Sequence, residues 1–247
     1  SAYGLRKTIG LADCPDTNVY RLVHGEGDEL PGLIIDYYNG TAVTQFHSIG
    51  MYLSKEFILE ALKITLGNKL QAVFDKSSQT LPFKAQVKAV DGYIWGKQEN
   101  NEVTEHGNTF MVDWNEGQKT GFFVDQRENR ELIKQYSKNR TVLNMFGYTG
   151  GFSVYALRGG AKLVHSVDTS KKAIEMTEKN IEINFGKTSN HESFAVDAFE
   201  FLETIDDKYD LIILDPPAFA KHNDSLHNAL QAYKRINLKA IRQIRKG

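Results

Sequence analysis

The chain has a single cysteine, few prolines and no long uninterrupted apolar stretch. Cys14 is the only thiol in 247 residues, which excludes an intramolecular disulfide and a zinc site built from several cysteines. No apolar run approaches the roughly 20 residues of a membrane-spanning helix, and the N-terminus lacks the apolar segment of a signal peptide. The seven histidines show no metal-ligand spacing such as H-E-x-x-H. We therefore expect a cytoplasmic protein with no membrane partner and no metal.

The charge composition is balanced, which limits the kinds of partner that the chain can attract. Thirty lysines and arginines face 31 aspartates and glutamates, so the net charge is −1. This argues against a strong general affinity for nucleic acid but leaves room for a local basic face. The length suits one large or two small domains.

Residues 141–168 have the outline of a nucleotide-binding βαβ unit. A short apolar run leads into a glycine-rich turn, then a helix, then a second apolar run that ends in Asp168. Glycines let the backbone turn tightly, and an acid about 20 residues later can accept hydrogen bonds from both hydroxyls of a ribose. In the alternative interpretation this is an ordinary crossover and Asp168 caps the next helix. We predict strands over 142–146 and 163–167 and a helix over 152–157.

The glycine spacing differs from the G-x-G-x-x-G of dinucleotide sites, which use glycines to bring a helix N-terminus onto a pyrophosphate. Here the turn carries Phe146, Tyr148 and Thr149 beside Gly147 and Gly150, and these side chains are too bulky for a phosphate cradle. A cofactor that contains adenosine but no phosphate fits better. S-adenosylmethionine is such a cofactor.

Two further predicted strands, 192–196 and 209–214, also end in acids. Asp197 follows the first of them, and Asp215 follows the second and is itself followed by Pro216 and Pro217. Open parallel sheets bind ligands at the carboxyl ends of their strands, so three acids at one edge favour a ligand site. Asp197 could accept from the adenine amino group with Phe199 beside the ring. The alternative is that Asp197 and Glu200 form a capping box.

The part of the chain before these strands differs in pattern and predicts a separate α+β domain. Asn39 and Gly40 lie between two β-rich runs and indicate a hairpin, and the helical spacing of 51–66 ends at Gly67. We predict a leading arm over 1–18, a small α+β domain over 19–115 and a Rossmann-like domain over 116–247. The predicted strands of the small domain are 19–24, 33–38, 41–46, 70–74, 87–90, 93–95, 102–105 and 109–114.

Two clusters of cations flank the Rossmann-like pattern. Lys119, Arg127 and Arg130 lie around the start of a helix that Asp125 and Glu128 would cap. They form either a solvated basic face or a site for a carboxylate or phosphate of the substrate. A long basic helix over 226–246 is most simply a solvated face. Because the chain stops where a fifth strand should follow, we also expect that it is truncated or that a partner covers the last strand.

With these motifs in hand, the chain resembles the class I S-adenosylmethionine-dependent methyltransferases. Within that class it is similar to the bacterial 23S ribosomal RNA cytosine carbon-5 methyltransferases of the large-subunit methyltransferase I type. The resemblance implies an α/β Rossmann-like fold behind the small domain, an N-terminal PUA domain that this chain lacks, and 23S ribosomal RNA as partner. It leaves a homodimer open. The matching segments are GEGDELPGLIIDYYNG, GQKTGFFVDQRENR, VLNMFGYTGGFSV, SVDTSKKAIEMTEKNIEIN, DLIILDPPAFAK and YKRINLKAI.

The resemblance also implies roles for individual residues. Asp168 would hold the ribose of the cofactor, and Asp215 with its two prolines would line the target-base pocket and touch the cofactor. The nucleophilic cysteine of such enzymes would lie beyond Gly247, so this chain alone would bind cofactor without methylating cytosine. The methionine part would contact Phe146, Gly147, Tyr148, Thr149 and Gly150, and the adenine would contact Asp197 and Phe199.

Three other functions compete with this interpretation. Asp-Pro-Pro resembles the (D/N)-P-P-(Y/F) motif of nitrogen methyltransferases, although Ala218 stands where those enzymes have an aromatic residue. A non-catalytic RNA- or protein-binding module on a Rossmann scaffold would lack cofactor binding. NAD-dependent oxidoreduction is disfavoured by the glycine spacing.

Overall fold

The structure is a computed structural model that describes residues 1–82, 87–204, 209–219 and 226–245. Two compact units divide the chain, Ser1–Arg127 and Glu128–Gly247. The division falls later than the predicted boundary near Asn115.

The first unit is built on a five-stranded, mostly antiparallel sheet. Its strands are β1 (Val19–His24), β2 (Leu33–Tyr38), β3 (Thr41–Phe46), β4 (Ala72–Asp75) and β5 (Gly92–Gly96), and its helices are α1 (Ala2–Thr8), α2 (Ile49–Leu53) and α3 (Lys55–Leu66). The strands stand in chain order, and only β3 and β4 are parallel. A parallel pair needs a crossover connection, which α2 and α3 supply. Leu59, Leu62 and Leu66 of α3 are buried in the core of this unit.

Two hairpins of the first unit turn through two residues. Tyr38 pairs with Thr41 across Asn39 and Gly40, whose φ angles are 42° and 105°, so the Asn-Gly prediction is confirmed. A second hairpin joins β6 (Glu102–Glu105) to β7 (Asn108–Met111) through His106 and Gly107.

Some predictions for the first unit were wrong. The leading arm contains α1, and Arg6 of this helix is buried, pairs with both carboxylate oxygens of Asp28 and donates to the carbonyl of Arg21 at 2.8 Å. Residues 87–90 form no strand, because apolar alternation over four residues does not by itself supply a ladder partner. The predicted helix 51–66 is interrupted at Ser54.

A buried polar network explains why the division into units falls after residue 115. Asp36 is fully buried and accepts from Arg21 Nε at 2.8 Å and from Arg21 Nη2 at 3.0 Å. Thr120 donates its hydroxyl to Asp36 at 2.6 Å and lies 2.8 Å from the hydroxyl of Tyr38. Residues shortly after the predicted boundary are therefore bonded into the first sheet.

The second unit is a parallel sheet with helices on both faces. Its strands are β8 (Thr141–Met145), β9 (Leu163–Asp168), β10 (His191–Ala195) and β11 (Leu211–Leu214), and its helices are α4 (Arg127–Tyr136), α5 (Gly151–Arg158), α6 (Lys171–Phe185), α7 (Ala198–Thr204) and α8 (Leu226–Gln243). The strand order is β10-β9-β8-β11, and every pair is parallel. The predicted α/β Rossmann-like fold is confirmed.

The two faces of this sheet have separate cores. On one face, Leu143, Met145 and Val167 pack with α7 residues such as Leu202 and with Ile236 of α8. On the other, Val142 and Val164 pack with α5, and α5 in turn contacts α6. Strands that pack on both faces have mainly apolar sequences, which is why the sequence located β8, β9 and β11 to within about two residues.

Candidate functional site

The strand order of the second unit places a topological switch point between β8 and β11. The chain leaves β8 toward β9 on one side and later returns to pair β11 on the other. In open parallel sheets the crevice outside such a switch point is the usual ligand site. The turn after β8 and the acid after β11, Asp215, lie at this edge.

The turn after β8 carries two aromatic residues in a strained backbone conformation. Phe146 has φ 58° and Tyr148 has φ 45°, a region that bulky residues rarely adopt. Strain of this kind costs on the order of 1–3 kcal/mol per residue and persists where surrounding contacts impose it. The turn is thus a marked candidate for function.

Backbone hydrogen bonds of this turn are satisfied inside the protein. The N–H of Gly147 donates to Val167 O at 3.0 Å, that of Gly150 to Gly147 O at 2.8 Å, and that of Tyr148 to Asp168 Oδ2 at 3.0 Å. A pyrophosphate site would leave such groups pointing at the ligand. The geometry therefore agrees with a cofactor that has no phosphate.

Two polar side chains of α6 donate hydrogen bonds to the turn after β8. Thr177 donates to the carbonyl of Tyr148 at 2.9 Å, and Asn180 donates to that of Thr149 at 2.8 Å. Both are fully buried. Gly150 has φ +77°, and a Cβ there would lie 2.6 Å from Thr177 Cγ2. Sequence reasoning missed these supports, although polar residues three apart on the buried face of a helix were visible.

Asp168 ends β9 and links the turn to α6. Its Oδ2 accepts from Tyr148 N, and its Oδ1 accepts from Ser170 N at 2.9 Å. A carboxylate offers about four acceptor positions, so the two backbone donors leave capacity for the two hydroxyls of a ribose. The carboxylate is half-buried, as a ligand contact at a sheet edge requires. Asp168 therefore fits its predicted role, which stays a prediction.

Asp197 caps α7, the alternative that the sequence left open. Its Oδ1 accepts from Phe199 N at 2.8 Å and from Glu200 N at 3.2 Å. No residue in the described part of the chain donates to its Oδ2, so capping and adenine recognition are compatible. The Arg235 guanidinium lies 4.6 Å from the centre of the Phe199 ring. The adenine contacts of Asp197 and Phe199 stay predictions.

The Asp-Pro-Pro loop after β11 is anchored to α8. The hydroxyl of Tyr233 accepts from Phe219 N at 3.4 Å and lies 3.5 Å from the carbonyl of Pro217. The Phe219 and Tyr233 rings are 4.6 Å apart between centroids. Asp215 and Pro217 are exposed and Pro216 is half-buried, so this loop is accessible for a substrate.

The three cations predicted to bind substrate differ in their surroundings. Lys119 is half-exposed, lies 3.5 Å from Asp125 and sits over the Phe123 ring. Arg127 is buried, with its Nε 3.5 Å from Glu105 and its Nη2 donating to Val19 O. Arg130 belongs to the second unit and is also buried. Arg127 thus has structural contacts, and a substrate role for the three remains a prediction.

A series of hydrogen-bonded polar side chains links β8, α5, β9 and β10 in the second unit. Asn144 donates to the hydroxyl of Ser153 at 2.9 Å, Ser153 lies 2.7 Å from Ser166, and Ser166 lies 2.8 Å from His191 Nε2. Asn144 Oδ1 is buried, with no hydrogen-bond partner among the described residues. Burial lowers the pKa of His191 to about 4, partly opposed by the nearby Glu178.

We expect His191 to make the second unit sensitive to mild acid. Its pKa is lower in the folded chain than the ordinary value near 6.5, so the unfolded chain binds the proton more readily between pH 4 and 6.5. Stability is therefore full above pH 6.5 and falls toward pH 4, by about 2–3 kcal/mol near pH 4.5. Urea unfolding followed by far-UV circular dichroism at pH 7 and pH 4.5 measures this loss. His191→Gln should remove most of it, and an equal loss in both proteins would contradict the assignment.

No described helix is long and apolar enough to cross a membrane. No group of three or more histidine, cysteine or acidic side chains in the described ranges could hold a metal ion.

Comparison with known proteins gives one family. The S-adenosylmethionine-dependent methyltransferase family profile matches residues 21–244. Two curated relatives carry the name ribosomal RNA large subunit methyltransferase I. The one from Escherichia coli strain SMS-3-5 is 37% identical over 96% of this chain and 61% of its own length. The one from Aeromonas salmonicida is 39% identical over 92% of this chain and 58% of its own length. The chain spans about three fifths of the length of these relatives.

Solved structures show the same fold. A methyltransferase complexed with SAH, the demethylated cofactor, has a TM-score of 0.79 at 28% identity over 96% of this chain and 62% of its own. An S-adenosylmethionine-dependent methyltransferase from Streptococcus mutans has a TM-score of 0.75 at 27% identity, over 93% of this chain and 61% of its own.

Proposed function

Because the chain belongs to the S-adenosylmethionine-dependent methyltransferases, we propose that it transfers the methyl group to carbon 5 of a cytosine in 23S ribosomal RNA. The names of the curated relatives support large-subunit ribosomal RNA as the substrate. The observation that carries the proposal in this chain is the edge around the switch point. At this edge, the turn after β8 lies beside Asp168, and its N–H groups donate within the protein instead of pointing at a pyrophosphate. Asp215, at the same edge, is exposed to solvent.

The cofactor would lie along the carboxyl ends of β8, β9 and β10. Asp168 would accept from its ribose, Asp197 Oδ2 from its adenine amino group, and the turn after β8 would contact its methionine part. Bound there, the cofactor supplies an electrophilic methyl group. The base would enter from the Asp215 side, where the carboxylate can accept from an exocyclic amino group.

Carbon rather than nitrogen methylation is supported by the loop after β11. Nitrogen enzymes place an aromatic ring directly after the two prolines to stack on the base, and here that residue is Ala218. The next residue, Phe219, is engaged with Tyr233 and lies 6.4 Å from Phe199 between ring centroids. Methylation of a ring or amino nitrogen remains the second candidate, because Asp-Pro-Pro itself suits both chemistries.

Carbon-5 chemistry needs a thiolate. Cytosine carbon 5 is a poor nucleophile until a thiolate adds to carbon 6; after methyl transfer, loss of the carbon-5 proton expels the thiolate. Cys14 lies in the first unit, where its thiol donates to Asp16 at 3.0 Å, and it matches no family motif. We therefore propose that the nucleophile belongs to a segment that completes the length of the relatives.

The proposal is tested by methyl transfer from labelled S-adenosylmethionine to 23S ribosomal RNA fragments, followed by mass spectrometry of the nucleosides. We compare residues 1–247 and their Cys14→Ser variant with a longer chain that reaches the relatives' length. We expect 5-methylcytidine only from the longer chain, and its loss when the first cysteine of the added segment becomes alanine.

Other products would decide between the alternatives. A nitrogen-methylated nucleoside, made without any cysteine, would move nitrogen methylation to first place. Formation of 5-methylcytidine by the Cys14→Ser protein of residues 1–247 would refute the thiolate assignment. No cofactor binding by calorimetry would favour a non-catalytic binding module.

A further inference from the structure

Two basic depressions lie on the second unit away from the turn and the three strand-end acids. One, of about 510 Å³, lies at the amino ends of the strands and is lined by Lys138, Asn139, Arg140, Lys162, Asp210 and Arg245. The other, of about 310 Å³, lies on α8 and is lined by Gln231, Lys234, Arg235, Leu238, Lys239 and Arg242. Together they carry eight cations in a chain whose net charge is −1. The charge is therefore concentrated locally.

Most of these cations have no carboxylate partner among the described residues. Arg245 pairs with Asp210 at 2.9 Å, and Lys239 pairs with Glu203. No described acid lies within ion-pair distance of the other six. Lys138, Arg140 and Lys162 are exposed, and so are Lys234, Arg235 and Arg242. Unpaired cations at close range repel one another, so an anionic partner would stabilise both depressions.

The two depressions are neighbours at the C-terminal end of α8. Arg242, within the helix, lines one, and Arg245, two residues after the helix ends at Gln243, lines the other. Within α8 the helical rise places Arg235 about 10 Å from Arg242. Nearer the N-terminal end of α8, the Arg235 guanidinium lies over the Phe199 ring, beside the predicted adenine site. Tyr233 of the same helix anchors the Asp-Pro-Pro loop.

We propose that these eight cations form a basic track that binds the sugar-phosphate backbone of the substrate RNA. The inference rests on the proposed function, since RNA is the polyanion that must reach the Asp215 loop. Lysine and arginine side chains bind phosphates without reading sequence. The track thus extends the RNA contact from the carboxyl edge of the sheet to its amino end.

The test uses fluorescence polarisation with a labelled single-stranded RNA of mixed sequence, titrated at several potassium chloride concentrations. The variant is Lys138→Gln/Arg140→Gln/Lys162→Gln, whose three side chains form no ion pair with any described acid. The control is Lys88→Gln/Lys179→Gln/Lys187→Gln, which removes the same charge from exposed positions outside the track.

We expect the track variant to bind the RNA on the order of 10- to 50-fold more weakly near physiological salt. The slope of log affinity against log salt should fall by about two, since each phosphate contact to single strands contributes about 0.7. The control should keep most of the wild-type affinity and slope. Wild-type behaviour of the track variant would overturn the proposal, and so would an equal loss in the control.

Calorimetry with S-adenosylhomocysteine separates this proposal from the preceding one. Both variants should bind it as the wild type does, because none of the substituted residues touches the turn or the strand-end acids. If the longer chain methylates RNA while the track variant keeps its RNA affinity, the track fails and the proposed function stands. If the track variant loses RNA binding but the longer chain methylates no RNA, the track stands and the proposed function fails.

Discussion

Replacing Asp168 by alanine is expected to weaken binding of S-adenosylmethionine, and of its demethylated product, by about 100-fold. Two hydrogen bonds from ribose hydroxyls to a carboxylate are together worth about 3 kcal/mol. The substitution also removes the acceptor for Tyr148 N and Ser170 N, which hold the strained turn against α6. Isothermal titration calorimetry with S-adenosylhomocysteine gives the affinity directly.

Two companion variants make the Asp168 experiment decisive. Asp168→Asn keeps the shape and one acceptor oxygen but no charge, so its loss should be intermediate, about 10-fold. Glu175→Ala removes an exposed carboxylate from α6, the helix that follows Asp168, and its affinity should equal that of the wild type. Wild-type affinity in Asp168→Ala, with the fold intact by circular dichroism, would refute the ribose assignment.

The largest expected loss of stability follows Asp36→Ala in the first unit. Removing this fully buried carboxylate leaves the Arg21 guanidinium partly buried without its partner and the Thr120 hydroxyl without its acceptor. Breaking a buried ion pair on one side costs about 3–5 kcal/mol. Both tryptophans, Trp95 and Trp114, belong to the first unit, so fluorescence-monitored urea unfolding reports on that unit.

A surface ion pair supplies the contrast to Asp36. Glu60 is 62% exposed and pairs with Lys63 one turn away on α3. Glu60→Ala should lower the free energy of unfolding by less than about 0.5 kcal/mol, because exposed pairs are screened by solvent. If Asp36→Ala cost no more than Glu60→Ala, the network around Asp36 would contribute little to the stability of the unit.

The sequence predicted β8, β9 and β11 of the second unit well because each of these strands packs residues into the cores on both faces of the sheet. Mainly apolar runs marked β8, β9 and β11, and the acids that follow β9, β10 and β11 could be placed at one edge by the rule for parallel sheets. The strand order that puts Asp215 beside the turn could not be read from the chain, since pairing between distant strands leaves no local pattern. It emerged only with the structure.

Several contacts of the site were beyond prediction for a related reason. Asp197 was ambiguous between cap and ligand, and only the two backbone donors on Oδ1 show that it caps α7. Thr120 belongs to the first unit because its hydroxyl donates a hydrogen bond to Asp36, which lies 84 residues earlier in the chain. Helix α1 was not predicted because seven residues are too few to show the repeating apolar pattern of a helix.

The strained turn after β8 has a consequence for laboratory evolution. Selection for heat resistance alone would favour glycine or asparagine at Tyr148, since either residue relieves a left-handed backbone at little cost, whereas Phe146 also packs against the core of the unit. Such sequences would lose one aromatic side chain at the proposed methionine contact. A library screened only for folding at high temperature would therefore become enriched in proteins that are more stable but bind the cofactor more weakly.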